Sequence, residues 1–313
     1  MTTEKDRLKD IAIVGLGALG TLYAYHLTKA LGRERVCVLA DKERISRYES
    51  EGVFFNGEKC AFRYADIAAG TKYPSLIMIC CKYTALQSVI EELKGWVGPE
   101  TLMISVLNGI ASEKDLRAVF PADQVIDCVA RKMSAVKEGN RVTAVVPGEL
   151  VIGPEPGRPV QKENAGKVAA LLDEAAFPYV LSDEIQKELW SKLLCNVGAN
   201  QSAMVNEVTY AGLQAPGLAR DDMIAAMREV KVVAQAEGVA LTEADVDYWV
   251  KVIDSLDPEG EPSMRQDGKA RRRSEVELFS GTIVRLAKQH GLSVPVNEKW
   301  YDEIRQRESR YSS

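Results

Sequence analysis

Apolar positions in the first half of this chain gather into short solid runs, whereas in the second half they recur at helical spacing. Ile11-Ala12-Ile13-Val14 has no polar break, which predicts a strand covered on both faces, as in the middle of a parallel sheet. A helix is expected over Ala18 to Leu31, with Leu19, Leu22, Tyr23 and Leu27 on one stripe and Gly32 as the stop. A second strand, Arg35 to Ala40, ends at Asp41. The runs Leu76 to Cys81 and Leu102 to Leu107, separated by a helical pattern over Ala85 to Leu93, repeat the strand-helix-strand alternation of a doubly wound sheet.

From Gln124 to Ile152 the pattern turns to short β-rich pieces with turn signals at Glu138-Gly139-Asn140 and Pro147-Gly148, read as hairpin extensions of that sheet. A helix near Glu163 to Ala175 and a last strand, Tyr179 to Leu181, complete an α/β domain over residues 1–182. Beyond Ser182 no strand pattern appears. Asp183 to Val205, Arg220 to Glu237, Glu243 to Leu256 and Glu275 to His290 read as helices, giving an all-α domain over residues 183–313. There is no repeat of fixed period, and the main Pro/Gly-rich interruption there is Asp257 to Pro262.

Composition narrows the function classes. With a formal net charge of -5 there is no basic field for a polyanion, so no nucleic-acid partner is expected and small molecules are. No run of 18 apolar residues and no basic-then-apolar N-terminus is present, so neither a membrane association nor export is expected, and the cytoplasm is the expected compartment. Cys37, Cys60, Cys80, Cys81, Cys128 and Cys195 are scattered without a CxxC pair, which points to reduced, buried thiols. His26 and His290 lack a second ligand at metal-binding spacing, so no metal site is expected.

Gly15-Leu16-Gly17-Ala18-Leu19-Gly20 fits G-x-G-x-x-G, directly after a strand and opening a helix. The first glycine permits the tight turn, the second lets backbone approach a pyrophosphate, and the third lets helix pack on strand, while the helix N-terminus faces the phosphates. In that context the hexapeptide points to dinucleotide binding, with Asp41 at the end of the second strand placed to accept from the ribose hydroxyls and to disfavour a 2′-phosphate. Asp41 leans to NAD; Lys42 and Arg44 beside it could neutralise the phosphate of NADP, and a plain solvated loop aspartate is the bland alternative.

Lys192, Asn196 and Asn200 stand at i, i+4 and i+8 of one predicted helix, among Leu189, Trp190, Leu193, Leu194, Cys195 and Val197. A polar row usually marks a solvated face, but a segment apolar nearly all round is expected to be buried. A buried lysine flanked by two amides is costly unless something uses it, which makes Lys192 a candidate proton donor.

Taken together, Gly15 to Gly20, Lys82 in Cys80-Cys81-Lys82-Tyr83-Thr84-Ala85, Asn108 in Leu107-Asn108-Gly109, the Lys192/Asn196/Asn200 row, Ser263-Met264-Arg265-Gln266-Asp267 and Ser274-Glu275-Val276-Glu277 resemble the ketopantoate reductase (2-dehydropantoate 2-reductase) family. The resemblance implies a Rossmann domain, a helical domain of the 6-phosphogluconate dehydrogenase type, an active site in the cleft between them, and NADP or NAD as cofactor. By position it implies Lys192 as general acid, Glu275 as its carboxylate partner, Asn196, Asn200 and Ser263 as substrate contacts, and Lys82 and Asn108 at the nicotinamide end, Asn108 also meeting substrate.

Residues alone place Lys82 and Asn108 after strand ends, where doubly wound sheets bind ligands, and give Glu275 a competing role in a Ser274-x-x-Glu277 capping box. Two departures stand out: Gly260-Glu261-Pro262 where the family commonly has an asparagine, and Asp41 where it often has an arginine. The run Lys269-Ala270-Arg271-Arg272-Arg273 reads as a solvated turn or an added anion anchor. The expected partner is a small 2-keto acid, ketopantoate first, reduced to pantoate. Other 2-keto or 3-hydroxy acids, or a Rossmann protein that senses NAD(P)H without turnover, are the alternatives. Oligomeric state is not set by the sequence, a homodimer being one expectation.

Overall fold

The computed structural model describes residues 8–70 and 72–311, and the chain divides into two compact units. The first takes residues through Leu107 and then Ser112–Ile185; the second takes Asn108–Ala111 and everything from Gln186. The four residues 108–111 thus belong with the helical unit although they lie far upstream of it in sequence.

The first unit contains the twelve strands found among the described residues: β1 (Ile11–Val14), β2 (Val36–Ala40), β3 (Phe54–Phe55), β4 (Glu58–Lys59), β5 (Tyr64–Asp66), β6 (Leu76–Ile79), β7 (Leu102–Ser105), β8 (Val125–Arg131), β9 (Ser134–Glu138), β10 (Arg141–Val146), β11 (Glu149–Gly153) and β12 (Tyr179–Leu181). Eight of them form the main sheet in the order β12-β11-β8-β7-β6-β1-β2-β5. From β5 to β8 all neighbours run parallel, and β11 lies antiparallel to β8. The solid apolar runs have the reason expected for them. Ile11, Ile13 and Met78 join one buried cluster with α1 (Ala18–Leu31), while Ala12, Val14 and Ile79 join another on the opposite face, so every position of β1 and β6 is buried.

The expectation that residues 124–152 merely extend this sheet is corrected. Only β8 and β11 join it; the β9–β10 hairpin between them pairs with β3 and β4 in a separate sheet ordered β4-β3-β10-β9. Its buried residues, Phe55, Val142 and Ala144, pack into the α1 cluster. The β-rich pieces and their turn signals marked hairpins, but nothing in them could say which sheet they would enter. A helix absent from the sequence reading, α2 (Lys42–Glu51), has no fully buried residue and is started by Asp41, whose carboxylate accepts the Arg44 backbone N–H at 2.7 Å. The unit's other α-helices are α3 (Tyr83–Leu93), α4 (Ser112–Arg117) and α5 (Pro159–Glu174).

Beside the end of β7 the core holds a carboxylic acid. Glu113 is 3% exposed; its Oε2 accepts from Ser112, whose hydroxyl accepts in turn from Ser105 at 2.9 Å, and its Oε1 has no partner among the described residues. Burial pushes its pKa up to about 8, with the buried Asp127 carboxylate, itself paired to Arg117, adding to the rise. A carboxyl whose folded pKa is raised favours the fold fully only below the unfolded value near 4.5, and that contribution is lost as pH climbs through the folded value. Glu113→Gln is therefore expected to flatten the decline in melting temperature between about pH 5 and 8, and to melt a few degrees above the parent at pH 8. Parallel melting curves for the two proteins across that range would show that Glu113 ionises freely.

The second unit is all-helical: α6 (Ile185–Cys195), α7 (Gln201–Asn206), α8 (Tyr210–Gln214), α9 (Leu218–Ala236), α10 (Glu243–Asp254), α11 (Ser263–Lys269), α12 (Ser280–His290) and α13 (Pro295–Glu308). Its central helix, α9, buries Met223, Met227, Val230 and Val233. Gly198 lets the chain approach it, since a Cβ there would lie 2.6 Å from Met227 Cγ. The helix expected from Glu275 begins only at Ser280, and α8, α11 and α13 were not anticipated. No described helix is long and apolar enough to cross a membrane.

Candidate active site

At the end of β1 the three glycines carry three separate burdens. Gly15 sits at φ +93, and a Cβ there would lie 2.8 Å from Cys81 Cα and N; a Cβ on Gly20 would fall 1.8 Å from the Gly15 carbonyl oxygen. Gly17 is different. Its Cβ would meet only the Cys80 carbonyl oxygen, at 3.8 Å, so the protein itself leaves that side of the turn open. No side chain caps the N-terminus of α1 and no acid sits in its first turn, so its free N–H groups and positive dipole end are available to an anion. A cavity of about 180 Å³ continues from this turn, lined among others by Leu16, Ala40, Asp41, Arg44, Tyr48 and Ala85. An uncapped helix start, a close-approach glycine and an adjoining cleft ending at an acid fit the diphosphate and adenosine of a dinucleotide. Of the other residues read as cofactor-binding, Leu16 is buried at the turn and Ala18 and Leu19 open the helix.

Asp41 is not a free loop carboxylate. Besides capping α2 it lies 3.5 Å from Arg44 Nε, and Lys42 is turned to Asp66 at 3.6 Å, so both nearby cations already face carboxylates. Lys82 is exposed at the N-cap position of α3 and follows the C-terminal end of β6. The cysteines are less buried than expected: only Cys60 and Cys128 are fully enclosed, while Cys37, Cys80, Cys81 and Cys195 are half-buried, and all six are free thiols. His26 packs among the rings of Tyr25, Phe55 and Phe177, and His290 Nε2 lies 2.5 Å from Glu237 Oε1.

In the helical unit the Lys192/Asn196/Asn200 row lies on a helix that changes pitch. Asn196–Asn200 form a single π-helical turn between α6 and α7, a local widening common at functional sites. Asn200, 7% exposed, is the hub: its Oδ1 accepts the Ser263 hydroxyl at 3.0 Å and the Met264 backbone N–H at 3.2 Å, and its Nδ2 donates to Asn196 Oδ1 at 3.3 Å. That leaves Asn196 Nδ2, a buried donor with no partner among the described residues. Lys192 precedes Asn196 by one turn and is half-buried rather than enclosed, although Leu189, Trp190, Leu193, Leu194 and Val197 around it are buried. Its ammonium is felt at Cys195, whose thiol is pushed up to about 12 by burial and pulled back by Lys192.

The capping-box alternative for Glu275 is removed. Residues 275–279 are turns, Ser274 Oγ is buried without a partner among the described residues, and Glu277 takes the Tyr301 hydroxyl at 2.9 Å. Glu275 instead accepts from Asn108 Nδ2 at 2.8 Å, joining two expected site residues 167 positions apart. In the basic run at the end of α11, Lys269 pairs with Glu261 at 3.0 Å and Arg272 with Asp267 at 2.8 Å. Sequence reasoning missed Tyr48 and Cys81 at the cavity beside the glycine turn and the Lys137 ammonium at the Leu16 carbonyl. The last had a legible signal, a lysine two positions after Ala135 and so on the same face of β9.

Comparison with known proteins adds an independent line. The family model described as ketopantoate reductase PanE/ApbA matches residues 11–157, and that of its C-terminal part matches residues 184–308. The 2-dehydropantoate 2-reductase of Aquifex aeolicus (strain VF5) is 26% identical over 291 residues, 91% of this chain and 93% of that one. The crystal structure of a PanE/ApbA family ketopantoate reductase from Ralstonia eutropha JMP134 superposes with a TM-score of 0.84 at 27% identity, covering 96% of this chain and 99% of that one. D-mandelate dehydrogenase, solved with NADH and anilino(oxo)acetate, shares the fold at a TM-score of 0.85 and 22% identity, with 96% and 98% covered.

Proposed function

The chain belongs to the ketopantoate reductase family, an oxidoreductase family acting on a CH–OH group, and from that premise we propose that it reduces ketopantoate to pantoate with Lys192 as general acid. The observation that carries this reading is the hydrogen-bonded chain Ser263–Asn200–Asn196, which leaves the Asn196 Nδ2 donor unspent one turn beyond Lys192. A buried donor without a partner is costly, and a substrate carboxylate or ketone oxygen is an acceptor that relieves it.

A nicotinamide dinucleotide, when bound, supplies the hydride for the ketone carbon. Lys192 donates the proton that the nascent alkoxide requires, and its charge stabilises the oxyanion as it forms. Asn196, Asn200 and Ser263 orient the substrate oxygens, fixed to one another before substrate arrives, so little ordering is left to the reaction. Glu275 holds the Asn108 amide by its Nδ2, which leaves the Asn108 carbonyl oxygen as the acceptor. The glycine turn holds the diphosphate, with Lys82 at the nicotinamide end.

The test is a panel of 2-keto acids with NADH and with NADPH, read at the absorbance band of the reduced nicotinamide. Ketopantoate is expected to give the highest kcat/KM; another acid leading by tenfold would transfer the assignment to that substrate.

Cofactor choice turns on Asp41. Its carboxylate is fixed by the Arg44 N–H, and a 2′-phosphate there would meet like charge, a contact worth about 1 kcal/mol or more. NADH is expected to bind at least as tightly as NADPH. Asp41→Asn keeps a helix cap but removes the charge, so it should tighten NADPH by about fivefold to tenfold and leave NADH nearly unchanged. A parent enzyme that binds NADPH much more tightly than NADH would show that Lys42 and Arg44 dominate.

A further inference from the structure

Strand β9 has a charge where its alternation calls for an apolar residue. Lys137 stands opposite Val142 of β10, and Ala135 opposite Ala144; residues directly opposed in an antiparallel pair project to the same face. Val142 is 1% exposed and Ala144 8%, both within the cluster built on α1, and Ala135 packs against that cluster. Lys137 therefore shares the inward face with three apolar residues. Val136, on the other face, is 47% exposed.

The lysine does not escape to solvent with its head. The residue as a whole is exposed, but its ammonium donates to the Leu16 carbonyl, inside the Gly15-Leu16-Gly17 turn. Burial lowers its pKa, and the Arg47 guanidinium lowers it further. Among the described residues neither Lys137 nor Arg47 forms an ion pair; Arg47 only lies over the Tyr48 ring, 5.7 Å from its centroid. Two like charges are thus brought together without a carboxylate at a turn whose own N–H groups already favour an anion.

We propose that Lys137 is a cofactor-binding residue: held on the Leu16 carbonyl, its ammonium closes the glycine-rich turn over the diphosphate of the dinucleotide, with Arg47 as a second cation. This rests on the dinucleotide-binding reading of that turn. The second sheet gains a function by it, since β9 carries the cation across α1 to the phosphate site. The competing explanation is edge protection, because β9 is the outer strand of its sheet and an inward-pointing charge discourages edge-to-edge pairing. Edge protection, however, requires neither the bond to the turn nor a second cation.

The experiment is calorimetric titration of ADP, NADH and adenosine into the full-length protein and into Lys137→Met, with melting temperature and sedimentation recorded for both. ADP and NADH are expected to bind about tenfold more weakly to the variant, the scale of one charge-assisted contact, with adenosine unchanged. Lys137→Arg should restore ADP to within about threefold of the parent. It also serves in place of Lys137→Met if the latter fails to fold, a loss of ADP affinity in Arg47→Ala then being required. Equal ADP affinity in parent and Lys137→Met would overturn the proposal, and if that variant also self-associates the lysine protects an edge. A parent that binds neither ADP nor NADH would remove the dinucleotide reading itself, an outcome distinct from failure of the lysine.

Discussion

Replacing Lys192 with alanine is expected to lower kcat about a hundredfold or more with ketopantoate, while the Kd for cofactor hardly moves. The expectation follows from where the lysine stands: half-buried on α6, one turn before the unspent Asn196 donor, on the same helical run as the two asparagines. A group that donates its proton in the transition state affects kcat without being needed to hold substrate in the ground state. Because Lys192 is not fully enclosed, its removal leaves little cavity, and the melting temperature should stay within a few degrees of the parent. A lysine that merely supports the fold gives the opposite pattern, a lower melting temperature and a kcat that falls only with the folded fraction. Measuring both on one preparation separates the two.

The second large effect is expected at the glycine turn, where a pair of substitutions distinguishes packing from binding. Gly20→Ala puts a methyl 1.8 Å from the Gly15 carbonyl oxygen and 3.0 Å from Cys80 Cβ, so α1 must move off the turn. That overpacking should cost about 3 kcal/mol or more and abolish measurable NADH binding. Gly17→Ala meets no protein atom closer than 3.8 Å, so its melting temperature should match the parent. Its methyl nevertheless points into the space assigned to the diphosphate, and NADH affinity should fall about tenfold to a hundredfold. Normal NADH binding by a folded Gly17→Ala would place the diphosphate elsewhere.

What could be read from sequence, and what could not, divides along physical lines. β1 and α1 were legible because a fully buried run, or an apolar stripe with a glycine stop, leaves few alternatives. α2 was not, since its ten residues bury none completely and its start depends on a cap at Asp41 that looks like any loop aspartate. The β9–β10 hairpin was legible as strands but not as a second sheet, because alternation encodes a buried face and not a partner. Spacing identified the Lys192/Asn196/Asn200 row, but the π-helical turn through it leaves no mark in residue type. Ser274-x-x-Glu277 looked like a helix start, yet the chain bends and turns for five residues before α12, and only the fold shows Glu275 joined to Asn108. A four-residue segment that belongs with the helical unit was likewise beyond any local pattern.

The most direct test of the central claim is the stoichiometry of ketopantoate reduction by the purified protein, with pantoate formed and reduced cofactor consumed measured in the same reaction. Saturable turnover is expected, with one pantoate appearing for each NADH or NADPH oxidised. Tight cofactor binding with no consumption of ketopantoate or of any other 2-keto acid would contradict it, and would make the chain a dinucleotide sensor rather than a reductase.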